Sequence, residues 1–243
     1  METNIAVIFC SKKSTEENKD FIEHIKTTCG CETHLYCIHN PDGVSISKIY
    51  ADMMESPDIN ENILVYIHDD IEFLRPGWGA EVLRLFNDHK DYSIIGIAGS
   101  AQFDENGAWW NYDKKYGQVL HRSDGKSWLT AFSPLLDKDL EDVVVIDGLF
   151  MAIDKTKIKE NFNRELLFFD FYDIYFCLAN YFAGCKIGVT TNIRVAHNSI
   201  GKLKDSWYKN REVVNKEFGK YYPIDITKTN KNGRRRFFNQ RKM

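Results

Sequence analysis

The sequence Ile63-Leu-Val-Tyr-Ile-His-Asp-Asp-Ile-Glu-Phe73 decides the fold class of this chain, because five apolar residues run directly into His68, Asp69 and Asp70. A continuous apolar run with β-branched members is typical of a strand buried on both faces. Adjacent carboxylates at the end of such a strand are costly unless a positive charge meets them. In open α/β sheets, ligands bind beyond the carboxyl ends of the strands. The stretch predicts a divalent cation and a phosphate-bearing ligand; the alternative is a solvated turn, where Asp is common.

Size and charge indicate a folded, weakly acidic protein. The 243 residues suffice for one large α/β domain or two small ones, and 43% hydrophobic content supports a core. The net charge of −3 gives no general signal for nucleic acid, so we predict no nucleic-acid partner. Seven Lys or Arg residues and no acid fall within 227–243. We predict one domain over residues 1–226 and a basic tail over 227–243.

Three interpretations of the tail stay open. The first is a solvated terminus. The second is weak peripheral attraction to anionic lipid, and the third, disfavoured by the acidic body, is RNA binding. The N-terminus lacks a basic region followed by an apolar segment, and no apolar stretch reaches the ~18 residues of a membrane span. Six cysteines without a CxxC pair indicate reduced, mostly buried thiols, so we predict a cytoplasmic protein, with contact at the inner face of the membrane as a further expectation.

The first hundred residues alternate between strand and helix patterns. Predicted strands cover residues 4–10, 32–38, 63–67 and 93–98, and predicted helices cover 14–28, 45–55 and 76–89. This alternation predicts an α/β fold with a mostly parallel central sheet flanked by helices.

The second half is mixed. After an aromatic loop (100–116), the patterns predict a hairpin of strands 118–121 and 128–132, strands 143–146, 149–153, 186–190 and 193–196, and helices from Tyr172 and over 205–218. Residues 149–153 could continue the strand that precedes them.

Three acidic or histidine sites are candidates for chemistry. No P-loop or GxGxxG fingerprint is present, which leaves a metal as the route to phosphate, with Asp69 and Asp70 as hard oxygen ligands. Asp170 and Asp173 lie in an apolar stretch. The structural interpretation is that Asp170 caps a helix and Asp173 is a carboxylate of its first turn. The functional alternative is a general base. His197 follows a short strand, as a packed histidine or a third metal ligand.

Taken in order, these segments resemble the GT-A glycosyltransferases of the bacterial family 2-like group. The matching segments are residues 66–73 with 76–78, 145–151, 171–178 and 197–201, and the resemblance covers about residues 4–200. It implies a GT-A (Rossmann-like) fold, with residues 1–99 as the nucleotide-binding half and 100–226 as the acceptor-side half.

The resemblance also implies a metal site. Asp70 matches the last acid of the DxD-type motif, the usual ligand of Mn²⁺ or Mg²⁺ in this family. Asp69 occupies the middle position, and His68 stands where many relatives have the first Asp. His197 matches a late histidine that joins the metal or diphosphate site.

For the other roles, Asp173 matches the catalytic base of inverting members, with Asp170 in reserve. Ser11 and Lys12 lie where the family binds the nucleotide, and Asp52 stands near a position where relatives often carry Asn. The resemblance implies that these three residues and Asp69 contact the nucleotide-sugar.

The activity implied is transfer of a sugar (a hexose, in the narrower form of the expectation) from a UDP- or GDP-linked donor to a hydroxyl of a glycan or lipid-linked acceptor. Inversion at the anomeric carbon and a role in bacterial surface glycan synthesis are implied with it. Trp109, Trp110 and Tyr112 suit an acceptor platform; the alternative is packing beneath a long loop. Two other functions stay open, a non-catalytic carbohydrate-binding or interaction domain and a nucleotidyltransferase.

Overall fold

The structure is a computed structural model that describes residues 4–201 and 203–228, so the predicted tail lies outside it except for 227 and 228. The first strands and helices are β1 (Asn4–Ser11), α1 (Lys19–Cys29), β2 (Glu32–His39), α2 (Ile46–Glu55), β3 (Ile63–Ile67), β4 (Ile71–Phe73), α3 (Trp78–Asp88), β5 (Tyr92–Gly96), β6 (Ala98–Ser100) and β7 (Gln102–Phe103). They are followed by β8 (Lys115–Ser123), β9 (Lys126–Ala131), β10 (Glu141–Val143), β11 (Val145–Ile146), β12 (Phe150–Asp154), α4 (Tyr172–Phe182), β13 (Lys186–Val189), β14 (Val195–His197), α5 (Asp205–Phe218) and β15 (Ile224–Asp225).

The central sheet has seven strands in the order β10-β13-β5-β12-β3-β1-β2. Strand β1 pairs in parallel with both β2 and β3, as the alternating pattern predicts. Strand β12 is inserted antiparallel between β3 and β5. All five residues of β3 and of β12 are buried, so both strands lie in the core. The α/β class is confirmed, and the sheet is mixed because β12 and the edge strand β10 run antiparallel to their neighbours.

The direction of β12 brings a distant turn to the end of β3. Phe150, the first residue of β12, pairs with Ile67, the last residue of β3. The His68 backbone N–H donates to the Leu149 carbonyl at 3.2 Å. Residues 147–148 therefore lie beside His68. Strands β11 and β12 are separate, because β11 pairs with β6 in a second sheet, so 149–153 does not continue the preceding strand.

A second sheet, in the order β11-β6-β8-β14-β4, brings the late histidine to the acidic turn. Strand β4 follows that turn, and His197 of β14 pairs with Ile71 of β4. On its other side β14 pairs with β8, which forms the predicted hairpin with β9. Asp124 (φ 50°) and Gly125 (φ 72°) form its two-residue turn, the backbone geometry that tight hairpins require.

The helices follow the predicted pattern with one shift. Helix α5 has the predicted bounds, whereas α1 begins at Lys19 rather than near Ser14. Ser14 and Glu17 do form reciprocal bonds (Glu17 N–H to Ser14 Oγ, 3.3 Å; Ser14 N–H to Glu17 Oε2, 2.8 Å), but these close a separate turn. Within the described ranges, no helix is long and apolar enough to cross a membrane.

Candidate metal and catalytic site

Three predicted metal ligands meet where the two sheets join. One potential ligand atom each from His68, Asp70 and His197 lies within 4.8 Å of the other two, and these three residues are called the metal group below. His68 and Asp70 belong to the turn between β3 and β4, and His197 ends β14. His197 Nε2 lies 3.3 Å from Asp70 Oδ1, and the Asn198 N–H donates to the Asp70 carbonyl at 2.9 Å. Two imidazoles and one carboxylate form a donor set that suits a divalent transition metal.

The charges in this group fit cation binding. Burial raises the pKa of the Asp70 carboxyl, but the hydrogen bond and charge of His197 outweigh burial and lower that pKa to about 2. Burial likewise opposes protonation of His197, yet Asp70 raises its pKa above the ordinary value. Burial and repulsion from His197 lower the pKa of His68. His68 is therefore neutral with a free lone pair, and a bound cation would take the place of the His197 proton.

Tyr172 fixes the orientation of His68. The Tyr172 hydroxyl donates to the Gly148 carbonyl at 3.0 Å and lies 3.0 Å from His68 Nε2. Because the hydroxyl has a single proton, His68 Nε2–H is the donor to Tyr172, which leaves Nδ1 as the acceptor. A Cβ at Gly148 would lie 2.1 Å from the Tyr172 hydroxyl oxygen, so only glycine fits there. Metal-binding histidines commonly donate the N–H of their second ring nitrogen to a hydrogen-bond acceptor in this way.

Two of the residues predicted at the nucleotide side lie next to the acidic turn. Ser11 Oγ donates to Asp69 Oδ2 at 2.5 Å, and Lys12 lines the neighbouring cleft. Asp52 differs, because it forms an exposed ion pair with Arg164 at 2.8 Å and is absent from the residues that line the cleft. Its position on the outer face of α2 corrects the expectation that it contacts the nucleotide.

Asp173 has the environment of a base. It lies in the first turn of α4, partly buried, and accepts hydrogen bonds from the backbone N–H groups of Gly148 (2.7 Å) and Ile174 (2.8 Å). Burial and, to a smaller degree, the charge of Asp147 raise its pKa to about 7. A carboxylate with a pKa near neutrality can take up a proton in its working pH range.

Asp147 is the site residue that sequence reasoning missed. Its charge raises the pKa of Asp173 and of His197, so it lies close to both side chains. It accepts a hydrogen bond from the Leu149 N–H at 2.9 Å. The sequence did carry a signal for it, because Asp147 and Gly148 interrupt the apolar run 143–153. Nothing in a local pattern says that this interruption lies beside His68.

Asp170 connects the site to α5. Its Oδ2 accepts a hydrogen bond of 2.5 Å from Ser206 Oγ, and its carbonyl accepts one of 2.8 Å from Asn210. Phe171 holds the N-cap position of α4 without a side-chain cap, so Asp170 is not the helix cap. Asp170 does line the cleft.

A cleft of about 1070 Å³ opens above the metal group. His68 and His197 line it together with the exposed apolar residues Leu167, Phe168 and Phe169.

The aromatic residues predicted as an acceptor platform lie elsewhere. Trp109 is 2% exposed and packs against Phe132 with ring centroids 4.9 Å apart, so it belongs to the core. Trp110 and Tyr112 are half-buried, and neither lines the cleft.

The raised pKa of Asp173 predicts a pH-dependent stability. The pKa of its carboxyl is about 7 in the folded chain but close to the ordinary value of 3.8 when the chain is unfolded. The folded state therefore binds this proton more tightly, and wild type should lose stability relative to Asp173→Asn as pH rises from about 4 to about 7, by at most ~4 kcal/mol. Urea unfolding of both proteins across this range measures the difference, and a constant difference would contradict the assignment.

Comparisons with known proteins show the family and the fold of this chain. The sequence profile of a glycosyltransferase-like family matches residues 6–218. A search of curated proteins finds no match. The crystal structure of GalNAc-T7 with UDP, GalNAc and Mn²⁺ is similar with a TM-score of 0.53 and 13% identity, over 88% of this chain and 47% of that chain. S. aureus TarS is similar with a TM-score of 0.50 and 8% identity, over 98% and 42%. This chain thus spans less than half the length of either, and the likeness shows a common GT-A fold.

Proposed function

Since this chain belongs to the glycosyltransferase-like family, we propose that it moves a sugar from a nucleotide-sugar to an acceptor hydroxyl, with a divalent metal and with inversion at the anomeric carbon. The observation that carries the proposal is the group of His68, Asp70 and His197 at a cleft of about 1070 Å³. The cleft has the size of an ordinary small-molecule site. The structure of GalNAc-T7 contains UDP, a sugar and Mn²⁺, which supports the same ligand classes here.

The side chains divide the work. A metal held by His68, Asp70 and His197 would supply positive charge to a donor diphosphate. Lys12 lines the same cleft and adds a second positive charge near that diphosphate. Ser11 holds Asp69 in place through their 2.5 Å hydrogen bond.

Asp173 is the proposed base. Two backbone N–H groups hold its carboxylate, and its pKa near 7 lets it accept the proton of the acceptor hydroxyl. Removal of that proton makes the oxygen a better nucleophile as it attacks the anomeric carbon. The transition state resembles the oxocarbenium ion of glycoside hydrolysis. The acceptor oxygen bonds to the anomeric carbon on the face opposite the diphosphate, whose bond to that carbon breaks, so the configuration inverts and the nucleoside diphosphate leaves.

The donor set favours Mn²⁺ over Mg²⁺. Imidazole nitrogens suit first-row transition metals, whereas Mg²⁺ prefers oxygen ligands and retains its water. Of the two ions expected from the sequence, we propose Mn²⁺. The acceptor remains a glycan or lipid-linked hydroxyl, and a cytoplasmic location stays part of the proposal.

A donor-turnover panel tests the function. UDP- and GDP-linked hexoses are incubated with the protein and either Mn²⁺ or Mg²⁺, and released nucleoside diphosphate is measured, since transfer to water also releases it. We expect release from at least one donor, faster with Mn²⁺. Binding of a nucleotide-sugar without release from any donor would favour the carbohydrate-binding alternative, and release of pyrophosphate from a nucleoside triphosphate and a sugar phosphate would favour the nucleotidyltransferase.

A further inference from the structure

A row of three aromatic rings leads from the metal group to the protein surface. His197 of β14 pairs with His121 of β8, and His121 pairs with Trp128 of β9. Residues paired across neighbouring strands point to the same face of a sheet. The ring centroids of His197 and His121 are 5.7 Å apart, and those of His121 and Trp128 are 5.5 Å apart. Two strand spacings, roughly 10 Å, therefore separate Trp128 from a metal ligand.

The hairpin formed by β8 and β9 presents one face to the site and the other to solvent. Val119, on the same face as His121, is 3% exposed, so this face is directed inward. Leu129, the next residue after Trp128, points the opposite way and is 58% exposed. Trp128 lies at the open end of the inward face and is 38% exposed.

His121 stacks on the indole of Trp128. The two rings stack with an interplanar angle of 19°, which covers one face of the indole. On its other side the His121 ring lies beside His197, with ring centroids 5.7 Å apart. In the described part of the chain, the other face of the indole has no ring contact. The structure thus offers a partly exposed indole, stacked on His121, roughly two strand spacings from His197.

We propose that Trp128 is a saccharide-binding platform of this enzyme, on which a sugar ring of the acceptor stacks. The apolar C–H face of a pyranose packs on an indole much as another aromatic ring does. A platform roughly 10 Å from His197 is within reach of a sugar chain whose reacting end lies at the metal group. Identifying the bound saccharide as the acceptor rests on the proposed function, whereas the saccharide site itself rests on the geometry of the hairpin.

Fluorine NMR on protein labelled with 5-fluorotryptophan tests the site. The chain has five tryptophans, and Trp128→Phe assigns the Trp128 resonance by its disappearance. Cellotriose, chitotriose and maltotriose are titrated in turn, with UDP and Mn²⁺ present. We expect at least one of them to shift the Trp128 resonance and to leave Trp78, Trp109 and Trp207, which are at most 7% exposed, unchanged. A Trp128 resonance that none of the three shifts would overturn the proposal.

A pair of variants separates a binding role from a structural one. Trp128→Ala should weaken saccharide binding roughly fivefold or more, while Leu129→Ala should change it by less than about twofold. Equal effects of the two variants would also overturn the proposal. UDP with Mn²⁺ is titrated on the same samples. Failure of UDP to bind counts against the proposed transferase. Normal UDP binding, together with a Trp128 resonance that no saccharide shifts, counts against this inference alone.

Discussion

Asp70→Ala is expected to abolish metal-dependent binding of UDP or GDP. The carboxylate is one of three potential ligands within 4.8 Å, and it also holds His197 through a contact of 3.3 Å. Loss of groups that only orient a metal ligand costs roughly 10–100-fold in affinity, so removal of a ligand should cost at least ~100-fold. Isothermal titration of nucleotide into protein with Mn²⁺ measures the loss.

This experiment needs a control variant and a check that the protein is folded. Asp52→Ala is the matched control, because Asp52 is an exposed acid paired with Arg164 outside the cleft, and it should bind nucleotide as wild type does. Circular dichroism should show that Asp70→Ala remains folded. Nucleotide affinity unchanged by Asp70→Ala, in the presence of Mn²⁺, would remove Asp70 from the metal site.

Asp173→Asn is expected to remove sugar transfer and to spare nucleotide binding. Asn keeps the size of the side chain but cannot accept the proton, and general-base catalysis contributes roughly 10²–10⁴-fold in rate. Asp173 makes its hydrogen bonds to the backbone of Gly148 and Ile174 and is not one of the three potential metal ligands, so affinity for UDP with Mn²⁺ should stay within about threefold. Steady-state release of nucleoside diphosphate in the presence of acceptor gives the rate.

Asp170→Asn is the comparison that decides between the two carboxylates. Its side chain accepts a hydrogen bond from Ser206 and lines the cleft, so it is the second candidate for the base. We expect Asp170→Asn to retain more activity than Asp173→Asn. If Asp173→Asn transfers sugar at the wild-type rate, the base lies elsewhere and Asp170 is next.

Elements with strong local signals could be predicted from the sequence. Strand β3 and helix α5 have the predicted bounds, and the hairpin turn at Asp124 and Gly125 forms as its sequence indicates. The antiparallel course of β12 could not be predicted, because a strand buried on both faces has the same apolar pattern in either direction. The three-residue strand β4 is too short to carry a period of its own.

The three candidate metal ligands were identifiable from the sequence, whereas the residues around them were less so. His68, Asp70 and His197 were named from the sequence, and they do converge, because β4 and β14 pair. Asp147 was missed because its partners are distant in sequence. Asp52 was misplaced because a helical pattern does not say which face a carboxylate occupies relative to a site two elements away.

The same limit applies to the aromatic residues. Trp109 is core and Trp128 is exposed, a difference that tertiary packing decides and that composition cannot show.

Electron paramagnetic resonance of Mn²⁺ tests whether His68, Asp70 and His197 form a metal site, because the signal of the free ion falls when the ion is bound. The account predicts that wild-type protein together with UDP or GDP removes the free-ion signal at a ratio of one Mn²⁺ per chain, and that Asp70→Ala protein leaves it unchanged. Nucleotide alone also binds some Mn²⁺, so it is measured as the blank. If wild-type protein lowers the free-ion signal no further than this blank, with UDP and with GDP, the proposed metal site is contradicted.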